Sequence, residues 1–134
     1  MTNEGEVYFA LCSDADFDPH DVTRTVGIEP SRTKRKASPR PKHTSWEVSS
    51  GKVESDVIDI YAMSSALISR LRTHADKIVQ AKRQFGLTAY LEVVLWISAD
   101  EATSTPAIGF DTDVISFLNA VSAHIDVDTY IKTA

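Results

Sequence analysis

The segment LTAYLEVVLWIS, residues 87–98, decides the fold. Leu87, Ala89, Leu91, Val93, Leu95 and Ile97 alternate strictly with their neighbours, a period of two that only an extended chain turns into a single apolar face. Tyr90, Val94 and Trp96 make the second face partly apolar too, so the segment reads as a central strand with Leu91 and Val93 in the core. Gly86, just before it, ends the longest helical pattern of the chain. There Val57, Tyr61, Ser64, Ile68, Leu71, Ala75 and Ile78 keep spacings of three and four, with Ile60, Leu67 and Phe85 alongside. A continuous helix over that run would reach about 45 Å, too long for a domain of this size. Thr73 followed three residues later by Asp76 resembles an N-cap pair, so an interruption is expected near Arg72 to His74.

Outward from this centre, Val7 to Ser13 is a first strand, apolar on both faces and therefore also central: Val7, Phe9 and Leu11 on one side, Tyr8, Ala10 and Cys12 on the other. Asp18 can N-cap a short helix that has Pro19 at its first position, Val22, Val26 and Ile28 as its apolar side, and Gly27 as its stop. Thr44 to Ser50 reads as a strand with Trp46 and Val48 on one face. Ala107 to Phe110 suggests a short strand, Asp111 caps a helix through His124, and Ile125 to Ile131 closes the sheet. The expected fold is α+β: one domain over residues 1–134, a single-layer antiparallel or mixed sheet of four to five strands, and helices packed on one face.

With 134 residues, 43% of them hydrophobic and 25% charged, the chain supports one real core and excludes global disorder or a disulfide scaffold. A lone Cys12 allows no intramolecular disulfide and fits a reducing compartment. MTNEGEVYF lacks a basic region followed by a long apolar stretch, so a cytoplasmic protein is expected, with no membrane contact. The net charge of −5 is unevenly spread. Residues 1–31 carry seven acids against Arg24, and residues 84–134 seven acids against Lys132. Arg32, Lys34, Arg35, Lys36, Arg40 and Lys42 cluster in a segment without acids. Pro30, Pro39 and Pro41 punctuate it, and it reads as a mobile basic loop at about 31–43.

Most catalytic constellations fail a stated requirement. Asp14, Asp16 and Asp18 match the first spacing of a calcium loop, but Pro19 stands where Gly is needed and Thr25 where a bidentate Glu is needed. His20, His43, His74 and His124 are dispersed, with no second cysteine, so no metal site is expected. Cys12 sits mid-strand among apolar neighbours, where a thiolate nucleophile is disfavoured. Gly27, Gly51, Gly86 and Gly109 are isolated and form no phosphate loop. Asp126 and Asp128 fall on one face of the last strand, a spacing that suits acid and base roles but more often marks an exposed face. The basic loop with Trp46 as a stacking platform would suit nucleic acid, yet the rest of the chain is acidic and offers no basic recognition helix, so no direct nucleic-acid partner is expected. Neither enzyme chemistry nor a cofactor has positive support.

Phe17-Asp18-Pro19, Asp21-Val22-Thr23, Gly27-Ile28-Glu29-Pro30-Ser31-Arg32, Ser45-Trp46 and Ser49-Ser50-Gly51 form a pattern. Together with the long helical region and the strands Leu91 to Ser98 and Ile125 to Tyr130, it resembles the family called domain of unknown function 4279. That resemblance implies a compact bacterial α+β domain without an assigned enzyme activity, some of whose relatives are candidate immunity proteins encoded beside polymorphic or contact-dependent toxins. Where the family pattern has a Trp and a Lys-Gly pair, this chain reads Thr33-Lys34-Arg35-Lys36-Ala37. Two classes of function follow. One is an immunity protein that covers a cognate toxin domain, with Glu101, Asp111, Asp113, Asp126 and Asp128 as its contact surface. The other is a small-ligand or regulatory module with a pocket between Arg32, Trp46 and the sheet.

Overall fold

The computed structural model describes residues 1–133. Its elements are β1 (Asn3–Ser13), α1 (Pro19–Val26), β2 (Arg32–Lys34), β3 (Thr44–Ser49), β4 (Val53–Ser55), α2 (Ile60–Leu71), a 3-10 turn (Arg72–His74), α3 (Ala75–Phe85), β5 (Thr88–Ser98), α4 (Thr112–Ala120) and β6 (His124–Lys132). They build one six-stranded sheet in the order β2-β3-β1-β5-β6, with β4 also against β1. β3 pairs with Tyr8–Ser13 and β4 with Asn3–Gly5, so the two share one edge of β1 while β5 takes the other. Only β5 and β6 run parallel, because α4 carries the chain back across the layer between them. The fold is α+β, with more strands than the four to five expected. β2 and β4 have three residues each, too few for any periodicity to register, and exist through main-chain pairing to β3 and β1.

Period-two burial assembles the core. Val7, Phe9 and Leu11 of β1, Trp46 and Val48 of β3, and Ala89, Leu91, Val93 and Leu95 of β5 are fully buried. Over them lie Val22 and Val26 of α1, Leu67, Ile68 and Leu71 of α2, Ile78 and Ala81 of α3, and Val114, Phe117 and Leu118 of α4. Phe9 and Phe117 meet edge to face at 5.7 Å, a geometry that adds to the area they bury. Asp18 and Asp111 cap α1 and α4 as their positions predict, each accepting a backbone N–H of the first turn. Gly27 adopts φ +81°, the left-handed stop that closes α1 at little steric cost.

The long helical run is interrupted at Arg72–His74, although Thr73 is not the cap. α3 begins at Ala75, and its N-cap residue His74 makes no side-chain cap bond. The His74 Nδ1 instead donates to the Val26 carbonyl at 2.9 Å, satisfying a backbone group that the end of α1 leaves open. Three other expectations shift. Residues 107–110 contribute only a bridge between Ala107 and Asp59, α4 stops at Ala120, and β1 starts four residues early. Buried Asn3 explains the last shift. Its amide donates to the Ser104 carbonyl at 2.7 Å and accepts from Ser98 N–H at 2.8 Å, tying the C-terminal end of β5 and the loop after it to the first strand.

The basic segment at 31–43 is not a free loop over its first half. Arg32–Lys34 are strand β2. Arg35 reaches both Asp16 carboxylate oxygens, at 3.3 and 2.8 Å. Lys36 Nζ donates to the Asp14 carbonyl at 2.8 Å. A run of like charge therefore folds onto the acidic turn that precedes α1, a pairing of segments about twenty residues apart that local sequence does not display.

Candidate functional site

Helices cover one face of the sheet only. The alternate residues Tyr8, Ala10 and Cys12 of β1, Glu47 of β3, Tyr90, Glu92 and Trp96 of β5, and Asp126, Asp128 and Tyr130 of β6 stand on the open face. A cleft of about 490 Å³ crosses it, lined among others by Tyr8, Cys12, His43, Glu47, Tyr90 and Glu92. A second hollow of about 350 Å³ continues along β1 and β5, between Glu6, Val53, Val94 and Trp96.

One side of this face is neutralised internally. Arg32 donates from Nη1 to Glu6 Oε2 at 2.8 Å and from Nε to Glu47, and its guanidinium lies 4.6 Å over the Tyr8 ring. Glu6 and Glu47 have side chains only 9% and 4% exposed, so they depend on this cation. Burial pushes the Glu6 carboxyl up, but hydrogen bonds from Arg32 and Ser49 outweigh it and hold the group below its usual range. The Tyr8 hydroxyl is raised by burial and then by Glu47 and Glu92. Arg32 is consumed by these partners and is not a free anion binder.

The other side is not neutralised. Glu92, Asp126 and Asp128 bring carboxylate oxygens within 4.8 Å of one another, because the β5–β6 register sets Glu92 opposite Asp126 and Val94 opposite Asp128. Among the described residues no lysine or arginine forms an ion pair with any of the three. Burial first, then the charge and hydrogen bond of Asp126, push the Glu92 carboxyl up to about 7. The three crowded carboxyl groups offer an all-oxygen surface to a cationic group. Because the folded-state value lies above the ordinary one, the associated stability is present at low pH and is lost as pH rises through about 7. Glu92→Gln should therefore raise the melting temperature at pH 8.5 and leave it nearly unchanged at pH 5. For a group half open to solvent the gain at high pH is on the order of 1 kcal/mol.

The residues singled out from sequence distribute differently from expectation. Arg32 and Trp46 share no pocket. Arg32 is opposite Glu47 and Thr33 opposite Trp46, so strand parity sends Arg32 to the open face and Trp46 into the core. There the Trp46 Nε1 donates to Thr23 Oγ1 at 3.0 Å. Of the five acids, Asp126 and Asp128 sit on the open face, while Asp111 caps α4, Asp113 lies 3.6 Å from Arg72 on the helical layer, and Glu101 lies in the turn after β5. They do not make one surface. Glu92 was missed, although its even position in β5 places it beside Asp126. Asp16 is taken by Arg35 and Thr44, and Asp18 by the α1 cap, which leaves no calcium loop. The Cys12 thiol is pushed up to about 11, chiefly by burial and then by Glu92, and stays protonated at neutral pH. Of the histidines, His43 lines the cleft, His124 packs on Tyr90 with ring centres 5.2 Å apart, His74 holds the end of α1, and His20 lies beside Asp18.

No described helix is long and apolar enough to cross a membrane. No curated protein and no solved structure matches the chain. The model of one family, described as domain of unknown function (DUF4279), matches residues 3–132, nearly the whole length, and the chain belongs to that family.

Proposed function

We propose that this protein is a cytoplasmic immunity protein that neutralises a cognate bacterial toxin domain by binding it, with no catalysis of its own. The observation that carries this reading is the uncovered sheet face, where the unpaired carboxylates Glu92, Asp126 and Asp128 stand among Tyr90, Trp96 and Tyr130. Such a surface complements a basic protein. The aromatic side chains supply buried area at low entropic cost, and the carboxylates accept guanidinium or ammonium groups and steer encounter over a Debye length. A toxin domain that binds nucleic acid needs a basic surface to meet the phosphates, and an acidic cover is complementary to such a surface. Asp126 and Asp128 remain the contact residues of this proposal, joined by Glu92. Glu101, Asp111 and Asp113 fall outside it.

Co-expression with the product of the neighbouring reading frame tests the reading: a toxic product, growth rescue and a stable complex are expected. Asp126→Lys with Asp128→Lys should weaken that complex tenfold or more, mainly by slowing association and most at low salt, while Glu101→Lys leaves it unchanged. Absence of any complex would reject the proposal. A second reading rests on the 490 Å³ cleft, a volume typical of small-ligand sites. In that case a small cationic ligand, and no protein, would raise the melting temperature.

A further inference from the structure

We infer that the protein associates with a second copy of itself through the free edge of β6, joining two sheets into one. β6 ends the strand order, its outer main-chain edge has no partner among the described residues, and His124 to Ile131 are exposed throughout. Natural edges are usually blunted by proline, a bulge or a covering element. This one has none of these three, and its only guard is the charge of Asp126, Asp128 and Lys132. The helical layer stops short of it, so that Ile125, Val127 and Ile131 remain 44%, 39% and 63% exposed on the side where β1, β3 and β5 are covered. On the opposite side Trp96 and Tyr130, stacked at 4.4 Å, are 42% and 45% exposed. An apolar border thus flanks an unpaired row of N–H and C=O groups on both faces.

The charge pattern selects a second copy as occupant. In an antiparallel pair related by a two-fold axis, residue numbers opposite each other have a constant sum, and side chains on one face meet only those of the same face. Setting Val127 opposite itself places Asp126 against Asp128, and setting Asp128 opposite itself juxtaposes like charges at the axis. Shifting the axis to Thr129 removes both conflicts: Asp126 faces Lys132, Asp128 faces Tyr130, and Val127 faces Ile131, each pair occurring twice. Lys132 Nζ bonds the Thr2 carbonyl at 3.0 Å and Glu4 Oε1 at 3.2 Å, on the same face as Asp126 but toward β1, so in the dimer its side chain turns outward from these partners to reach Asp126. An axis at Tyr130 would also relieve the charges, setting Asp128 against Lys132, but it opposes Val127 to Thr133 and Thr129 to Ile131; the Thr129 axis is the register that joins charge pairing to a Val127–Ile131 contact, and it leaves the open acidic faces side by side rather than buried.

Sedimentation of the full chain at tens of micromolar should give about twice the 14.8 kDa monomer mass. Asp126→Lys and Lys132→Asp alone should each weaken the dimer at least tenfold, and the two together should restore it. Thr129→Cys in a Cys12→Ser background reads the register directly, because opposed strand residues lie about 4.5 to 5.5 Å apart at Cα, within disulfide reach. It should cross-link rapidly under mild oxidation, whereas Ile125→Cys should not. A monomer at all concentrations overturns the inference, as does a dimer that persists with an unchanged constant in Val127→Lys. Circular dichroism confirms in each case that the variant is folded. Toxin binding by a monomer would leave the proposed function standing, so the two claims fail separately.

Discussion

Replacing Arg32 with Ala should destabilise the protein by about 2 to 4 kcal/mol at pH 7, measured by urea unfolding. The cost arises less from lost contacts than from what remains: Glu6 and Glu47, nine-tenths or more buried, would keep their charges without the cation that both hydrogen-bond. Removing one partner of a buried pair typically costs about 3 to 5 kcal/mol, and the value here is set lower because a third of the Arg32 side chain stays in solvent and screens the interaction. The pH dependence identifies the cause. In the native protein the Glu6 carboxyl is held low, so its contribution is present above the ordinary carboxylate range and lost on acidification. The penalty in Arg32→Ala should accordingly shrink between pH 7 and pH 4, as the stranded carboxyl takes up a proton. Arg32→Lys keeps the charge but not the fork that spans two carboxylates, and should fall between the two. An Arg32→Ala variant as stable as the parent at pH 7 would show that water already solvates these acids.

Trp46→Ala should cost about 3 to 5 kcal/mol, a large share of the roughly 5 to 15 kcal/mol that holds a domain together. The indole is fully buried between β3 and α1. Its removal leaves a large cavity, and the sheet beneath cannot collapse to fill it. Trp46→Phe should cost less, because most of the volume stays. The Thr23 hydroxyl loses one donor but still donates to the Pro19 carbonyl at 3.2 Å. Far-ultraviolet circular dichroism is the suitable probe, since the substitution removes one of two tryptophans. A small loss in Trp46→Ala would contradict a core position and reopen the pocket once expected beside Arg32.

Elements set by local rules were legible. The alternation of residues 87–98 and 7–13 specifies strands, and which of their residues are buried, through the period of the extended backbone itself. Asp18-Pro19 and Gly27 bound α1 by cap chemistry, and helix length against domain size gave the interruption near His74. What local rules do not encode was missed or misplaced. β2 and β4 are held by neighbours rather than by their own pattern, and the basic segment is fixed by Asp14 and Asp16 from an earlier turn. Asn3 is buried through partners far along the chain, Ser98 and Ser104, which no local pattern displays.

The sequence alone therefore determined the fold class and the two central strands, because periodicity, caps and spacing are properties of adjacent residues. It also located Asp126 and Asp128 on one face of the last strand. Only the tertiary structure decided that Glu92 completes their cluster, that Arg32 is spent on Glu6 and Glu47, and that Trp46 lies on the opposite side of the sheet from Arg32. Strand order and register govern those outcomes. A shift of one residue in pairing sends every side chain to the other face, and which strands become neighbours is settled by long-range packing that no short segment contains.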